Sequence, residues 1–351
     1  MIYDKKATYP AIAWWLISCC FMVFIMVVIG GITRLTGSGL SMVEWKPLIG
    51  AIPPLNEAAW LDVFEKYQQS PEFKHVNHDM DLEGFKQIFF WEWFHRLWGR
   101  LIGLVYFIPF VYFLCRKQLP MKYLGQFIGF FILGGLQGLM GWYMVKSGLV
   151  DNPAVSQYRL AAHLLLAFLI FGVMLRMALR LGLKPHEKHL RYPPLRLHML
   201  VCFAFVTLTI IWGALVAGLD AGLIYNTFPL MGGGLWPSEI WHLSPFWLNF
   251  FENHAMVQFT HRLLAVTTAV VILAYVARSS AFEKPKRCHY AFASLAIAVG
   301  LQVLLGVATL LSHVHLHVAV THQAFAFVLL GCLIWTAGEI RSMDYPQKKD
   351  T

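Results

Sequence analysis

Charged residues are scarce in this sequence: they make up 13% of its 351 residues. A soluble domain carries about 25%, so half of the charge needed to cover a water-facing surface is missing. Hydrophobic residues reach 58%. This composition excludes a cytosolic globular enzyme, a disordered chain and a secreted disulfide scaffold. The sequence also lacks a phosphate-binding loop, a dinucleotide-binding fingerprint and a nucleophile elbow.

The six cysteines form no recognisable ligand or disulfide pattern. All of them lie in or beside apolar runs, and no pair has the C-x-x-C spacing. Neither a zinc site nor a disulfide framework is therefore expected.

Eight apolar runs are candidates for crossing a hydrocarbon core of about 30 Å; the fourth and sixth are short, but arginines at their ends can reach the interface. The eight runs span residues 11–33, 97–115, 123–145, 160–175, 197–219, 263–277, 290–312 and 314–338. The first run is too long for a signal peptide and lacks a small-residue cleavage site, so we interpret it as a retained helix. The sequence predicts an all-α integral membrane protein with eight transmembrane helices.

The distribution of basic residues predicts the orientation of these helices. Most of the 28 Lys and Arg residues lie at the two termini and in the connections that follow the second, fourth and sixth spans. Cytoplasmic loops carry such an excess, so both termini are predicted to be cytoplasmic. The net charge of +9 is then explained without a nucleic-acid partner, and none is expected.

Two connections on the predicted outer side are long. Residues 34–94 contain two segments with helical spacing, 55–69 and 82–94, and residues 221–257 are rich in Gly, Pro and Trp. Long loops of this kind usually cover a functional site.

The two halves of the chain resemble each other in several short motifs. The pair His95-Arg96 returns as His261-Arg262, and Gly-Leu-Gln at 135–137 returns at 300–302. His163 returns as His322. We therefore expect two duplicated four-helix bundles, with an N-terminal half over residues 1–185 and a C-terminal half over residues 186–351.

Four of the fifteen histidines occupy these repeated positions: His95, His163, His261 and His322. All four fall near the outer ends of spans, where an ionisable group indicates function. A divalent ion would prefer added carboxylates or thiolates, whereas a haem needs one neutral imidazole from each of two facing helices. The sequence predicts two haem sites, although interfacial histidines bonded to backbone or headgroups remain an alternative.

Residues beside the first histidine of each pair suggest different roles for the halves. Arg96 and Arg262 could contact haem propionates, or serve as ordinary interfacial anchors. Glu92 lies three residues before His95 and therefore on the same helix face, whereas Gln258 occupies that position before His261. A carboxylate can move protons or stabilise positive charge, so we expect the reaction in the N-terminal half, unless Glu92 merely caps a helix or faces water.

A further cluster of histidines, His313, His315 and His317, lies in a short outer turn. Its alternating spacing could bind a metal ion, but a solvated turn is the favoured interpretation.

Taken together, Glu92-x-x-His95-Arg96, His163, His261-Arg262 and His322 on eight spans resemble the haem A synthase family. The resemblance covers nearly the whole chain and extends to two further motifs, Gly30-Gly31-x-Thr33-Arg34-Leu35-Thr36-x-Ser38-Gly39-Leu40-Ser41 and Phe85-Lys86-x-Ile88-Phe89. It is nearest to the proteobacterial and mitochondrial branch, because another bacterial branch carries a cysteine pair in each long outer loop and this chain has none there.

The resemblance implies an oxidoreductase that converts the C8 methyl group of haem O into a formyl group, giving haem A for cytochrome oxidase. His95 and His163 would hold this substrate, His261 and His322 would bind a permanent haem b, and Glu92 would be the essential carboxylate. It also implies a multi-pass protein of the bacterial inner (plasma) membrane. The expected partners are the farnesyl-transferring haem O synthase and an unidentified electron donor, either a quinol or a ferredoxin-like protein. A homo-oligomer is also possible.

Two other function classes remain open from the sequence. One is a di-haem b-type electron carrier or quinol-linked reductase, although four ligands at one depth do not suit electron transfer across a bilayer. The other is a transporter or haem exporter, for which no interrupted helix at mid-membrane gives support.

Overall fold

The computed structural model describes residues 8–44, 49–149, 153–184 and 193–343. Within these ranges the chain is helical, and its β-structure is limited to one isolated bridge between Met231 and Gly234. The helices are α1 (Pro10–Leu35), α2 (Glu57–Gln68), α3 (Pro71–His75), α4 (Leu82–Cys115), α5 (Leu124–Lys146), α6 (Gln157–Gly182), α7 (Pro193–Gly218), α8 (Asn249–Glu252), α9 (His254–Ser279), α10 (Lys286–Leu311) and α11 (Leu316–Met343).

Eight of the described helices are long and apolar enough to cross a membrane: α1, α4, α5, α6, α7, α9, α10 and α11. Many of their apolar side chains face outward, including Ile108, Val270 and Leu304, which are 62%, 61% and 65% exposed. A surface of this kind is suited to lipid. The predicted all-α membrane protein with eight spans is confirmed, whereas the cytoplasmic location of the termini concerns residues 1–7 and 344–351, which lie outside the described residues.

Helix α4 differs from the expectation. The sequence suggested a loop helix over 82–94 and a separate span from residue 97, but the two are one helix of 34 residues. No Pro or Gly interrupts the chain between the two predicted segments, and Asp81 caps the helix by accepting a hydrogen bond from the Gly84 N–H at 2.8 Å. At 1.5 Å per residue the length of α4 exceeds the thickness of the membrane core, so part of this helix extends beyond the core.

The first outer connection is ordered by an aromatic cluster. Tyr67 at the end of α2 is fully buried and stacks on Phe85 of α4, with ring centroids 5.0 Å apart. Ile88 and Phe89 complete the buried part of the cluster. This packing fixes α2 and α3 onto the first turns of α4.

The chain divides into two compact units, one comprising Phe21–Ile170 and the other Met1–Cys20 with Phe171–Thr351. The first contains His95 and His163, and the second contains His261 and His322. Each predicted histidine pair therefore lies within a single unit. The division into repeats at residues 185 and 186 falls outside the described residues and stays a prediction.

One buried carboxyl group in the outer layer makes its packing sensitive to pH. Burial raises the pKa of Glu72 in α3 to about 7, and the negative charge of Glu92 adds to this effect, while the hydrogen bond from the Tyr67 hydroxyl opposes it. Because the folded state favours the neutral form, its contribution to stability is fully present below about 4.3, the ordinary pKa of Glu. That contribution is lost as the pH rises through about 7.

We expect hydrogen exchange in α2 and α3, corrected for its intrinsic pH dependence, to show less protection at pH 8 than at pH 5. Glu72→Gln keeps an acceptor for Tyr67 without the charge and should remove this dependence. Glu57→Gln, at an exposed carboxylate of α2, is the matched control and should keep it. Equal pH dependence in the Glu72→Gln protein and the unmodified protein would contradict the assignment.

Candidate functional site

The first histidine pair joins α4 and α6. His95 and His163 are partly buried and close enough for their charges to interact. Each imidazole lies against a glycine of another helix. A Cβ atom built at Gly30 of α1 would be 3.2 Å from His95 Nε2, and one at Gly141 of α5 would be 3.1 Å from His163 Cε1.

The second pair, on α9 and α11, has the same construction. His261 and His322 are partly buried and also interact electrostatically. A Cβ atom at Gly213 of α7 would be 3.0 Å from His261 Cε1, and one at Gly306 of α10 would be 3.0 Å from His322 Cε1. Any side chain at these four glycines would therefore have to displace an imidazole.

This donor set fits a haem. Each unit supplies two imidazoles from two helices in apolar surroundings, which is how helical bundles bind haem iron. Among the residues that the structure describes, no group of three or more His, Cys, Asp or Glu side chains is arranged to hold a metal ion. His313, His315 and His317 are all exposed, as expected for a solvated turn.

Glu92 is 3% exposed and faces the outer loop that follows α1. Its Oε1 accepts from Arg96 at 2.5 Å, while its Oε2 accepts from the Ser41 hydroxyl and the Met42 N–H, each at 2.7 Å. These three contacts fix the position of the carboxyl group. Glu92 therefore does not face water. It does not cap a helix either, because it lies inside α4, whose N-cap is Asp81.

Arg96 and Arg262 both bind main-chain carbonyl groups of the outer loops. Arg96 donates to Met42 O at 3.1 Å and to Glu44 O at 3.3 Å. Arg262 donates to Tyr225 O at 2.7 Å and to Thr227 O at 2.8 Å. The two acceptor pairs are similar: in each pair the acceptors are separated by one residue, and the pairs lie in the connections that follow α1 and α7. The predicted contact with haem propionates stays a prediction.

Gln258 lies three residues before His261, as Glu92 does before His95, but it makes a different contact. Its side-chain N–H donates to Tyr225 O at 3.0 Å, so it binds a loop carbonyl, whereas Glu92 binds a loop N–H. Both residues attach an outer loop to the helix that carries the first histidine. Only Glu92 brings a negative charge.

Sequence reasoning missed the partners of these residues. Ser41 and Met42 stand about fifty positions from Glu92, and only the Ser41 motif within the family resemblance hinted at them. The glutamines of the repeated Gly-Leu-Gln motif were noted without a role, yet Gln137 contacts His163 and Gln302 contacts His322.

Comparison with known proteins places the chain in a family. The model of the COX15-CtaA family, described as cytochrome oxidase assembly proteins, matches residues 13–334. The chain belongs to this family.

Individual members of this family are similar over almost their whole length, and the resemblance drawn from the motifs is confirmed. A protein of Rhodospirillum centenum named "Heme A synthase" is 50% identical over 98% of this chain and 92% of its own length. Proteins of the same name from Nitrosospira multiformis and Parvibaculum lavamentivorans are 49% and 46% identical, covering 96% and 95% of both chains.

The glycine contacts lead to a test within one helix. Gly306→Ala should displace His322 and lower the amount of haem that the purified protein retains, as measured by its pyridine haemochrome spectrum. Gly300→Ala lies in the same helix but has no atom within 4 Å of the added Cβ. Because Ala is favoured over Gly in a helix by about 1 kcal/mol, this control should keep its haem and its stability. Equal haem retention in both variants would contradict the role of the glycine contact.

Proposed function

We propose that this chain is a haem A synthase, which oxidises the C8 methyl group of haem O to a formyl group and so supplies haem A for cytochrome oxidase. The observation that carries the proposal is 50% identity to a named haem A synthase over 98% of this chain. The duplicated histidine pairs and the single carboxylate at Glu92 support it independently.

In this proposal the two pairs have different ligands. His95 and His163 hold the substrate, haem O, and later the product, haem A. His261 and His322 hold a resident haem b, which supplies one-electron transfer when bound. The assignment follows the difference between Glu92 and Gln258, because a carboxylate is needed only where the substrate carbon reacts.

Glu92 acts as the catalytic carboxylate. It lies three residues before His95 and therefore on the same face of α4. Oxidation of a methyl group breaks C–H bonds, and a buried carboxylate can accept a proton or stabilise positive charge that develops on the substrate carbon. The donors from Arg96, Ser41 and Met42 hold the carboxylate in place.

The outer loops serve the same chemistry by covering the helix ends that carry His95 and His261. Arg96 and Arg262 bind the loop carbonyls, and Glu92 adds the Ser41 and Met42 contacts. A covered site has a lower effective dielectric than water, so the charge on Glu92 acts more strongly there.

We further infer that the protein lies in the bacterial inner membrane with both termini cytoplasmic. Haem O synthase is the proposed substrate donor, because an insoluble farnesylated substrate favours direct transfer within the bilayer. A quinol or a ferredoxin-like protein is the proposed electron donor; with dioxygen as the oxidant, each hydroxylation of the methyl carbon takes two electrons from this donor and two protons, and releases one water.

The role of Glu92 can be separated from its structural contacts. Glu92→Gln should leave haem binding largely intact but abolish haem A formation, because an amide neither accepts protons nor carries charge. Ser41→Ala removes one donor to Glu92 while keeping the carboxylate, and it should retain haem A formation. The measurement is haem A content, by extraction and chromatography, of cells that express each variant.

Two results would contradict this role. Haem A formation by Glu92→Gln would exclude chemistry at the carboxylate. Equal loss in Ser41→Ala would show that loop attachment, rather than the charge of Glu92, is what matters.

The assignment of the two pairs has its own test. His322→Ala should lose the haem b spectrum, because one of the two residues that would hold haem b is removed, whereas His163→Ala should keep it and lose haem O and haem A. Absorption spectra of the purified variants, with pigment identification, provide the measurement. Loss of haem b in His163→Ala with its retention in His322→Ala would reverse the assignment.

A further inference from the structure

Two glutamines, one in each unit, make the same unusual contact with a predicted haem ligand. Gln302 Nε2 lies 3.2 Å from His322 O and 3.3 Å from His322 Nδ1. Gln137 Nε2 lies 3.1 Å from His163 O and 3.2 Å from each ring nitrogen of His163. Among the described residues, the glutamines of the Gly-Leu-Gln motif contact only the second histidine of each pair, not His95 or His261.

Each glutamine shares its helix face with the glycine that the same imidazole touches. Gln137 and Gly141 are four residues apart on α5, as are Gln302 and Gly306 on α10, and residues at this spacing lie above one another. In the pattern Gln-x-x-x-Gly, both residues therefore contact one imidazole, with the amide beside the ring nitrogens and the glycine backbone at the Cε1 edge.

The other end of each carboxamide is without a partner. Gln137 Oε1 and Gln302 Oε1 are both buried and have no hydrogen-bond partner among the residues that the structure describes. A buried unpaired acceptor is costly, by about 1–3 kcal/mol. Both glutamines carry this cost beside the second histidine of their pair. We therefore interpret each Oε1 as an acceptor for a donor that is present when the site is occupied.

Iron ligation supplies such a donor. A neutral imidazole has one ring N–H and one nitrogen with a lone pair. When iron takes the lone pair, the remaining N–H needs an acceptor, which in metal sites is usually a nearby oxygen that fixes the ring and raises its basicity. A flip of the carboxamide by about 180° about its terminal bond exchanges its N–H for its Oε1 at the ring.

We propose that Gln137 and Gln302 are positioning residues, whose Oε1 atoms accept the ring N–H of His163 and His322 when these histidines bind haem iron. Gln302 thereby sets the orientation and electron donation of one ligand of the resident haem b, and Gln137 does so for the substrate haem. The proposal rests on the proposed function, in which His322 binds haem b and His163 binds haem O.

The reduction potential of the bound haem b tests this proposal without measuring catalysis. In Gln302→Glu a negative acceptor faces the ring N–H, so the imidazole donates more electron density and the potential should fall. In Gln302→Leu the acceptor is lost, so the potential should rise and the low-spin electron paramagnetic resonance signal should broaden as the ring loses its fixed orientation. Thr309→Val is the control, because the Thr309 hydroxyl bonds to Leu305 O within the same helix, and it should leave both readouts unchanged.

Opposite shifts in the two Gln302 variants support the proposal, since general damage to the helix would not change sign with the charge. Shifts in the same direction, or no shift, would overturn it. If Gln302→Leu retains no haem, Gln302→Glu alone decides: a lower potential supports the proposal and an equal or higher one overturns it. Retention of the haem b spectrum in His322→Ala would instead refute the assignment of the pair, so the two failures are distinguishable.

Discussion

The close approach of an imidazole to a glycine is the contact on which both candidate sites depend. Each of the four helices α4, α6, α9 and α11 carries one of the paired histidines, and a glycine of a different helix lies against each of these rings. Without a Cβ atom, the two backbones come near enough to enclose the ring in apolar surroundings while leaving it partly accessible. Interiors pack too densely to absorb an added methyl group at such a place. The glycines therefore fix the positions of the imidazoles, and these positions determine which cofactor the sites can bind.

The contacts beside the two histidine pairs differ at one position, where Glu92 stands beside the first pair and Gln258 beside the second. Arg96 and Arg262 bind loop carbonyls in corresponding ways, and Glu92 and Gln258 both attach the loop to the helix. Glu92 accepts hydrogen bonds from the loop, whereas Gln258 donates one. Because the attachment is served by either residue, loop packing alone does not explain a buried carboxylate, whose desolvation is costly. The proposed chemical role of Glu92 accounts for a carboxylate beside the first histidine pair, and the absence of such a role accounts for Gln258 beside the second.

Much of this arrangement follows from the sequence. Hydropathy alone placed all eight spans, and internal repetition identified His95, His163, His261 and His322 as two pairs. The continuous helix α4 was missed because Glu92 and Arg96 interrupt the apolar run. Their side chains form an ion pair, and they do not break the helix. The contacts of Gly30, Gly213, Ser41 and Gln302 were missed for another reason: each joins residues distant in sequence, so only the packing of helices reveals them.

Pigment extraction from the purified, unmodified protein tests the central claim most directly, because a catalyst and a carrier differ in what they hold. The account predicts haem b together with haem O or haem A, in amounts that indicate one haem for each histidine pair. Haem b as the sole pigment, at two equivalents per chain, would contradict it and identify the chain as an electron carrier.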